Sequence, residues 1–258
     1  MTTLARTYSE SSAHWYSRSG EPCYEVIGKS TGRPRPTTIR DARENGWLPS
    51  TTTILRSLSR PELESWKMEM ACLAILTAPR KDGEPLDAFV QRVLHKERQQ
   101  DQEAAAARDL GTRIHAAIEQ ALNGEQYDTG LREYVELSFQ EILRTGGALM
   151  QTEKIVVGDR YAGKLDALTQ HDGLITIWDI KSCRNLPKYG SYIEAKLQLA
   201  SYAQALGNTG DARIQTANLY VSTSEPGQIK VDTHQDWQET YERGFRPLVD
   251  YFYWANDL

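Results

Sequence analysis

The clearest strand pattern in the chain lies in residues 161–182, which predict two strands joined by a tight turn. Apolar side chains mark the first strand at 165–168, and the second, at 174–180, is rich in the β-branched and aromatic residues that strands favour. Asp172-Gly173 lies between them and is a strong signal for a two-residue type I′ turn. These residues therefore predict a β-hairpin.

The predicted turn determines which side chains face each other across the hairpin. It pairs His171 with Leu174, and counting back along both strands sets Asp166 opposite Asp179. Directly opposed like charges destabilise a sheet, so a divalent cation between the carboxylates would reverse the sign of their interaction. Oxygen ligands suit Mg²⁺ or Mn²⁺. Lys181 shares a face with Asp179 because the two are two residues apart on one strand.

Two carboxylates, a divalent metal and an adjacent ammonium group are a constellation for phosphodiester hydrolysis. The metal polarises the phosphate and activates water, while the lysine stabilises negative charge or positions the nucleophile. The alternative is a hairpin with solvated charges and a cross-strand pair between lysine and aspartate. The hairpin alone leaves both interpretations open.

The rest of the chain predicts helices before and after the hairpin, and further strands. Near the N-terminus we expect a strand pair turning at Ser19-Gly20, a loop with a short helix near 41–45, and a helix start at the Ser/Thr cluster 50–53. Helical patterns cover 61–76 (opened by Pro61), 86–100, 103–123, 130–145, 191–206 and an amphipathic C-terminal segment around 237–252. Strand patterns cover 151–157, 213–222 and 228–233.

Two pairs of polar residues sit four apart on predicted helices and so share a helical face. His115 and Glu119 lie beside an apolar stripe, and Gln198 and Tyr202 lie on the helix after the hairpin. Taken alone, such a histidine is more often a hydrogen-bonded core residue than a ligand, and such a tyrosine is core or surface.

Length and composition describe an ordinary globular protein. The chain has 258 residues, of which 40% are hydrophobic and 25% charged, enough for one large domain or two small ones. No apolar run approaches 18 residues, and residues 1–12 lack the apolar core of a signal peptide. Cys23, Cys72 and Cys183 are scattered, which fits a reducing cytoplasm and gives no zinc or cluster spacing.

Charge is unevenly distributed along the chain. Residues 1–60 carry a net charge of +4, whereas residues 61–258 carry −9. A basic N-terminal part beside an acidic body fits a local phosphate-binding surface next to an acidic metal site. Chance asymmetry of surface charge is the alternative.

The basic N-terminal part supplies candidate DNA contacts. Arg33, Arg35 and Arg40 can each bind a phosphate in bidentate fashion. Ser50 and Thr51, at a predicted helix start, could add hydroxyl and backbone N–H donors. The alternative for these two residues is helix capping alone.

Four short motifs follow one another along the chain. They are Gly111-Thr112-x-x-His115-x-x-x-Glu119, Gly163-Lys-Leu-Asp166, Asp179-Ile-Lys181 and Gln198-x-x-x-Tyr202. In this order they resemble the RecB-like exonuclease branch of the PD-(D/E)XK nuclease superfamily. Residues 48–55 and Trp66 also resemble phage and mitochondrial genome-maintenance-type exonucleases, and the resemblance spans roughly residues 48–206.

The resemblance implies a role for each matched residue. Asp166 and Asp179 would hold the catalytic metal, with the Ile180 carbonyl and His115 as further ligands, and Lys181 would be the catalytic lysine. Many relatives carry glutamate at the position of Asp179, so the reach to the metal is one methylene shorter here.

The remaining matched positions support that centre. By the same resemblance, Gln198 and Tyr202 would help to order the metal-site water, the lysine or the DNA backbone. Glu119 would bind a second metal or orient His115.

The resemblance also implies a fold and an organisation. We expect an α/β (α+β) fold with a mixed central β-sheet flanked by helices, a restriction-endonuclease-like core. Residues 1–60 would form an N-terminal hairpin and basic loop segment packed on a nuclease core of residues 61–258. One or two Mg²⁺ or Mn²⁺ ions are expected. Four-cysteine iron–sulfur relatives are excluded as close analogues, because the chain has only three cysteines.

The implied activity is that of a metal-dependent DNA exonuclease acting on ends in recombination, repair or phage DNA processing. A structure-specific or nicking endonuclease and a catalytically silent DNA-binding protein are the alternatives, although retention of Asp166, Asp179 and Lys181 argues against silence. We expect DNA as substrate, a recombination or single-strand-binding protein as a candidate partner, no membrane, and the cytoplasm of a bacterium or phage-infected host.

Overall fold

The computed structural model describes most of the chain. It covers residues 13–29, 32–58, 65, 68–69, 72–73, 75–207 and 213–258, with the backbone alone for residues 94–108. Within these residues, no helix combines the length and apolar character needed to cross a bilayer.

Helices and short strands precede and follow a group of longer strands. The helices are α1 (Ile39–Asn45), α2 (Thr51–Leu55), α3 (Leu86–Leu122), α4 (Arg132–Gly146), α5 (Ile193–Leu206), α6 (Trp237–Thr240) and α7 (Arg246–Asn256), with a 3₁₀ turn at Thr129–Leu131 and a π-helical turn at Tyr241–Phe245. The strands are β1 (Trp15–Tyr16), β2 (Glu25–Ile27), β3 (Pro34–Pro36), β4 (Leu48–Pro49), β5 (Ala148–Val157), β6 (Ala162–His171), β7 (Leu174–Cys183), β8 (Arg213–Ser222) and β9 (Ile229–His234).

Strands β5 to β9 form one mixed sheet in chain order. All neighbours are antiparallel except β7 and β8, which are parallel and are joined across the sheet by α5. Helices α3 and α4 bury Ile118 and Ile142 with Trp178 on one face, whereas α5 buries Leu199 with Ile177 on the other. The expected mixed central sheet flanked by helices is confirmed.

The central hairpin turns where its sequence predicts. Asp172 and Gly173 have φ values of 47° and 70°, which is the left-handed geometry of a type I′ turn. His171 pairs with Leu174, as predicted.

Pairing between β6 and β7 ends just before the two acidic residues. Ala167 and Trp178 are the last paired residues, and Asp166 and Asp179 follow at the next position of the same register. Beyond that point the backbone N–H of Ile180 donates to Oδ2 of Asp166, at 2.6 Å. A side-chain carboxylate thus accepts a backbone N–H at the point where strand pairing stops.

The prediction of separate helices at 86–100 and 103–123 is wrong, because α3 is continuous from Leu86 to Leu122. No glycine or proline separates the two predicted segments, and polar residues such as glutamine and glutamate are good helix formers. A polar run therefore interrupts the apolar stripe without ending the helix. The helix predicted from Pro61 lies largely outside the described residues, including Trp66, and the residues described between 65 and 77 are helical.

The predicted strand pair at Ser19-Gly20 is wrong in its partners. The chain does turn there, with Gly20 at φ 89°, but only Tyr16 and Pro22 form a bridge across the turn. Proline has no N–H with which to extend a ladder. Instead β1 pairs with β4, and β2 pairs with β3.

The N-terminal segment packs against the C-terminal helices. Trp15, fully buried, lies in one apolar cluster with Ile54, Leu197, Phe245 and Phe252. This cluster holds the N-terminal strands and α2 against α5 and α7. The domain boundary at residue 60 stays a prediction.

Candidate active site

Asp166 lies at the centre of the candidate site. Its Oδ2 accepts the Ile180 N–H, while Oδ1 lies 3.9 Å from Nδ1 of His115. Burial, and then the charge of Asp179, raise the pKa of Asp166 to about 6. The protein therefore holds two acidic groups close enough to disfavour simultaneous ionisation.

Helix α3 brings His115 to this point through a close approach at Gly111. A Cβ at Gly111 would lie 2.4 Å from Oγ of Ser182, so glycine is what lets the helix rest on the end of β7. One turn further along α3, Nε2 of His115 donates to the carbonyl oxygen of Ile180. An open pocket of about 430 Å³ lies here, lined by Gly111, Thr112, His115 and Ser182.

Glu119 lies one further turn along α3 and is half-buried. Its side chain makes no hydrogen bond or ion pair with the other residues that the structure describes. Its role as a second metal ligand or as the partner that orients His115 stays a prediction.

Lys181 is held between two acceptors. Its Nζ lies 2.9 Å from Oδ2 of Asp179 and 3.1 Å from Oε1 of Gln198. Burial lowers the pKa of Lys181, but the charge and hydrogen bond of Asp179 outweigh burial, so the pKa is raised overall. Lys181 is therefore an ammonium at neutral pH.

Gln198 joins Lys181 to a buried tyrosine. While its Oε1 accepts from Lys181, its Nε2 donates to the hydroxyl of Tyr202, at 2.8 Å. Tyr202 is 3% exposed, and burial raises its pKa well above the ordinary value, so the hydroxyl stays neutral. A Cβ at Gly163 would lie 2.3 Å from the Tyr202 ring, so the glycine of that motif makes room for the ring.

Asn218 on β8 is a site residue that the sequence reasoning missed. It is completely buried, and its Nδ2 donates to Oδ2 of Asp179 at 2.8 Å. Its own Oδ1 lies 3.2 Å from Nε2 of His234, which therefore carries the proton and donates. Burial lowers the pKa of His234, which keeps its ring neutral.

These contacts form one continuous hydrogen-bonded chain across three strands and a helix. It runs from His234 through Asn218, Asp179, Lys181 and Gln198 to Tyr202. The available signal for Asn218 was a polar residue inside an apolar strand run, since a buried polar group is the informative exception in a core.

The three candidate DNA-binding arginines lie on α1, on β3 and just before β3. Arg33 and Arg40 are exposed, and Arg35 makes a bidentate ion pair with Asp41 at 2.7 and 2.8 Å, which holds the pKa of Asp41 well below its usual range. Their contact with DNA stays a prediction.

Ser50 and Thr51 have internal partners. Ser50 caps α2 by accepting from the N–H of Thr53, at 3.0 Å. Thr51 is fully buried, and its hydroxyl lies 3.0 Å from Oγ of Ser201. The Ser50 contact matches the capping alternative, whereas the Thr51 contact is a tertiary one with α5. A role of either residue in DNA binding stays a prediction.

The oxygen ligands gathered at this site suit a metal cation that needs few protein ligands. In the described ranges, no group of three or more His, Cys, Asp or Glu side chains is arranged to hold a metal. Mg²⁺, however, is usually bound through one or two carboxylates and keeps several waters. Asp166, Asp179 and the Ile180 carbonyl meet that requirement. Burial and then the charge of Asp179 raise the pKa of Asp166, and a cation would offset that charge.

In comparisons with known proteins, residues 128–253 match the model of the PD-(D/E)XK nuclease superfamily. No curated protein matches the chain significantly. Among solved structures, SSO0001 is 16% identical, with a TM-score of 0.32 over 61% of this chain and 66% of that chain. LHK-Exo in complex with dAMP is 14% identical, with a TM-score of 0.27 over 55% of this chain and 82% of that chain. The family match, which spans Asp166, Asp179, Lys181 and the sheet that positions them, supports a PD-(D/E)XK nuclease superfamily domain in this chain.

Proposed function

We propose that this chain is a divalent-metal-dependent deoxyribonuclease that hydrolyses phosphodiester bonds at DNA ends. The observation that carries the proposal is the convergence of Asp166, Asp179 and Lys181 where pairing between β6 and β7 stops. A solvated hairpin would leave these groups in water, whereas Asp179 is 4% exposed and its carboxylate is fully engaged.

The residues at this point are suited to Mg²⁺ or Mn²⁺, as one or two ions. Asp166, the Ile180 carbonyl and His115 would hold the metal in exchange for their present hydrogen bonds. Asp179 would add a carboxylate oxygen while keeping its contacts with Lys181 and Asn218. When bound, a divalent ion polarises a phosphate oxygen and lowers the pKa of its water.

Lys181 stabilises the negative charge that develops on the phosphate, or positions the nucleophile. Although burial lowers it, the charge of Asp179 raises the pKa of Lys181 overall, so the metal-free protein holds the residue as an ammonium, the form that both roles require. Asp179 and Gln198 hold its ammonium group from two sides, so little reorganisation is needed during reaction. Tyr202 keeps the Gln198 amide in the orientation that presents Oε1 to the lysine.

The proposal includes finer assignments from the resemblance. These are the RecB-like or phage-type exonuclease branch, a role in recombination, repair or phage DNA processing, and a recombination or single-strand-binding protein as partner. The open pocket beside His115, about 430 Å³ in volume, offers room for part of a nucleotide next to the acidic centre. An endonuclease on the same site is the second candidate, and the experiment below separates the two.

The test is digestion of labelled linear DNA and covalently closed circular DNA with Mg²⁺, with Mn²⁺ and with EDTA. An exonuclease shortens the linear DNA progressively and leaves the circle intact, whereas an endonuclease nicks or linearises the circle. Asp166→Asn and Lys181→Ala should abolish or greatly lower cleavage. Asp250→Asn is the matched control and should cleave normally. It removes a carboxylate on α7 that pairs with Arg160. Intact linear and circular DNA under every metal condition would refute the proposal.

A further inference from the structure

We propose that loop 184–192, here called the tyrosine loop, is a stacking platform for unpaired DNA bases beside the reaction centre. It presents two exposed tyrosine rings on a backbone that strands β8 and β9 hold in place. The inference rests on the proposed function in that it assigns single-stranded DNA as the form of substrate held next to the site.

The two rings are unusually exposed for large aromatic side chains. Tyr189 is 99% exposed and Tyr192 is 66% exposed, and Ile193 beside them is 60% exposed. Clustered apolar surface of this kind marks binding sites more often than scattered single residues do. The loop directly joins the end of β7, which carries Lys181, to the start of α5, which carries Gln198. The rings thus lie on the connection between two site-bearing elements.

Hydrogen bonds anchor the first half of the loop. The Arg184 carbonyl accepts from the hydroxyls of Ser222 and Ser224, at 3.2 and 2.5 Å. The Pro187 carbonyl accepts from Nζ of Lys230, at 2.7 Å. The side chains that hold the loop belong to β8, to β9 and to the turn between them.

The second half of the loop is anchored to β9 through Asp232. The backbone N–H of Ser191 donates to Oδ2 of Asp232, at 2.5 Å. Gly190 has a φ of 90°, and a Cβ there would lie 3.1 Å from the same carboxylate oxygen, so the tight approach needs glycine. Fixing the backbone in advance reduces the entropy lost when a ligand orders the rings. Both halves of the loop are therefore anchored through their backbone, while the side chains of Tyr189 and Tyr192 stay exposed.

Unpaired bases are the ligand chemistry that fits these rings. Every base has a π-face on which a tyrosine can stack, whereas bases in a duplex are already stacked on each other. Arg184 and Lys188, both exposed in the same loop, provide cations for the flanking phosphates. Residues 61–258 carry a net charge of −9, so attraction by charge alone is weak over most of this body. Stacking supplies affinity that does not depend on that charge.

The test measures binding of a short fluorescein-labelled oligothymidylate by anisotropy, in Ca²⁺ to support binding without turnover, beside a blunt duplex of equal length. Tyr189→Ala with Tyr192→Ala should weaken oligothymidylate binding by about 25-fold or more, since each lost stacked base accounts for about 5- to 150-fold, and duplex binding by much less. Tyr189→Phe with Tyr192→Phe should bind like the wild type, because it keeps both rings. Tyr251→Ala, which removes a 53% exposed tyrosine on α7, is the matched control and should have no effect.

Three results would overturn the proposal: wild-type affinity in the double alanine variant, equal losses in the alanine and phenylalanine variants, or no binding of oligothymidylate by the wild-type protein. Failure of the proposed function has a different signature. Ring-dependent binding with no cleavage under Mg²⁺ or Mn²⁺ would support the tyrosine loop and refute the nuclease. Cleavage together with binding that does not depend on the two rings would support the nuclease and refute the tyrosine loop.

Discussion

Asn218→Ala tests whether the hydrogen-bonded chain around Asp179 contributes to catalysis. In the wild type, Nδ2 of Asn218 donates to Oδ2 of Asp179 from a completely buried position. The substitution removes that donor and leaves this oxygen with Lys181 alone among its described partners. We expect the carboxylate and the ammonium to lose their fixed mutual orientation.

The expected magnitude follows from the chemistry of that contact. A hydrogen bond to a charged group contributes about 1.5–3 kcal/mol. If most of this is lost from the transition state, turnover falls by about 10- to 100-fold, since about 1.4 kcal/mol corresponds to a tenfold change. His234→Ala should have a smaller effect in the same direction, because His234 is connected to Asp179 through the Asn218 amide and not directly.

Gln215→Ala provides a closely matched control. Gln215 is a buried amide on the same strand, and its Nε2 donates to Oγ1 of Thr176 on β7, at 2.9 Å. The two alanine variants should therefore lose similar unfolding free energy, about 1–3 kcal/mol. Only the Asn218 variant should lose turnover.

The assay combines urea unfolding with single-turnover cleavage of linear DNA over a Mg²⁺ titration. Asn218→Ala should lower the rate at saturating Mg²⁺ and raise the Mg²⁺ concentration needed for half the maximal rate. Equal rate losses in the Gln215 and Asn218 variants would show that strand stability alone is responsible and would refute the positioning argument.

Three further predictions concern the residues at the acidic centre. Lys181→Ala should retain the fold and metal binding but lower single-turnover cleavage by ~10²–10⁴, because a group acting on developing charge is lost; a near wild-type rate would remove Lys181 from the mechanism. Asp166 has its pKa raised from 3.8 to about 6 in the folded state, so its contribution to metal-free stability is full below pH 3.8 and lost as pH rises through 6. Asp166→Asn should abolish cleavage and flatten this dependence in urea melts with EDTA, and an unchanged pH slope would contradict the paired-carboxylate geometry. His115→Ala should weaken Mn²⁺-supported cleavage more than it perturbs thermal unfolding, because Mn²⁺ accepts imidazole more readily than Mg²⁺ does; unchanged Mn²⁺ dependence would leave His115 a structural residue.

Local sequence signals predicted the part of the fold that holds the acidic pair. The turn at Asp172-Gly173 set the β6–β7 register because a two-residue turn leaves no freedom in the count, and helical spacing placed Gln198 and Tyr202 on one face. Strand partners at the N-terminus were mispredicted, since pairing of β1 with β4 depends on contacts far apart in the chain.

No local signal connects Asn218 and His234 with Asp179. Asn218 meets Asp179 only because β8 pairs with β7 in parallel across the α5 crossover, and no turn signal sets the register of such a pairing. His234 then meets Asn218 through the pairing of β9 with β8. The order of the strands in the sheet, and not any motif, creates this part of the site.

Because Gly163 contacts the Tyr202 ring, a substitution at either position alone should damage the site. A side chain at 163 would displace the ring, and with it the hydroxyl that accepts from the Gln198 amide. A smaller residue at 202 would relieve the collision but leave that amide without its acceptor. In evolution or in a selected library, a functional variant with alanine at 163 should therefore also carry a smaller residue at 202 and a new hydrogen-bond partner for Gln198. Variation at these positions is thus expected as a coordinated set of changes and not one position at a time.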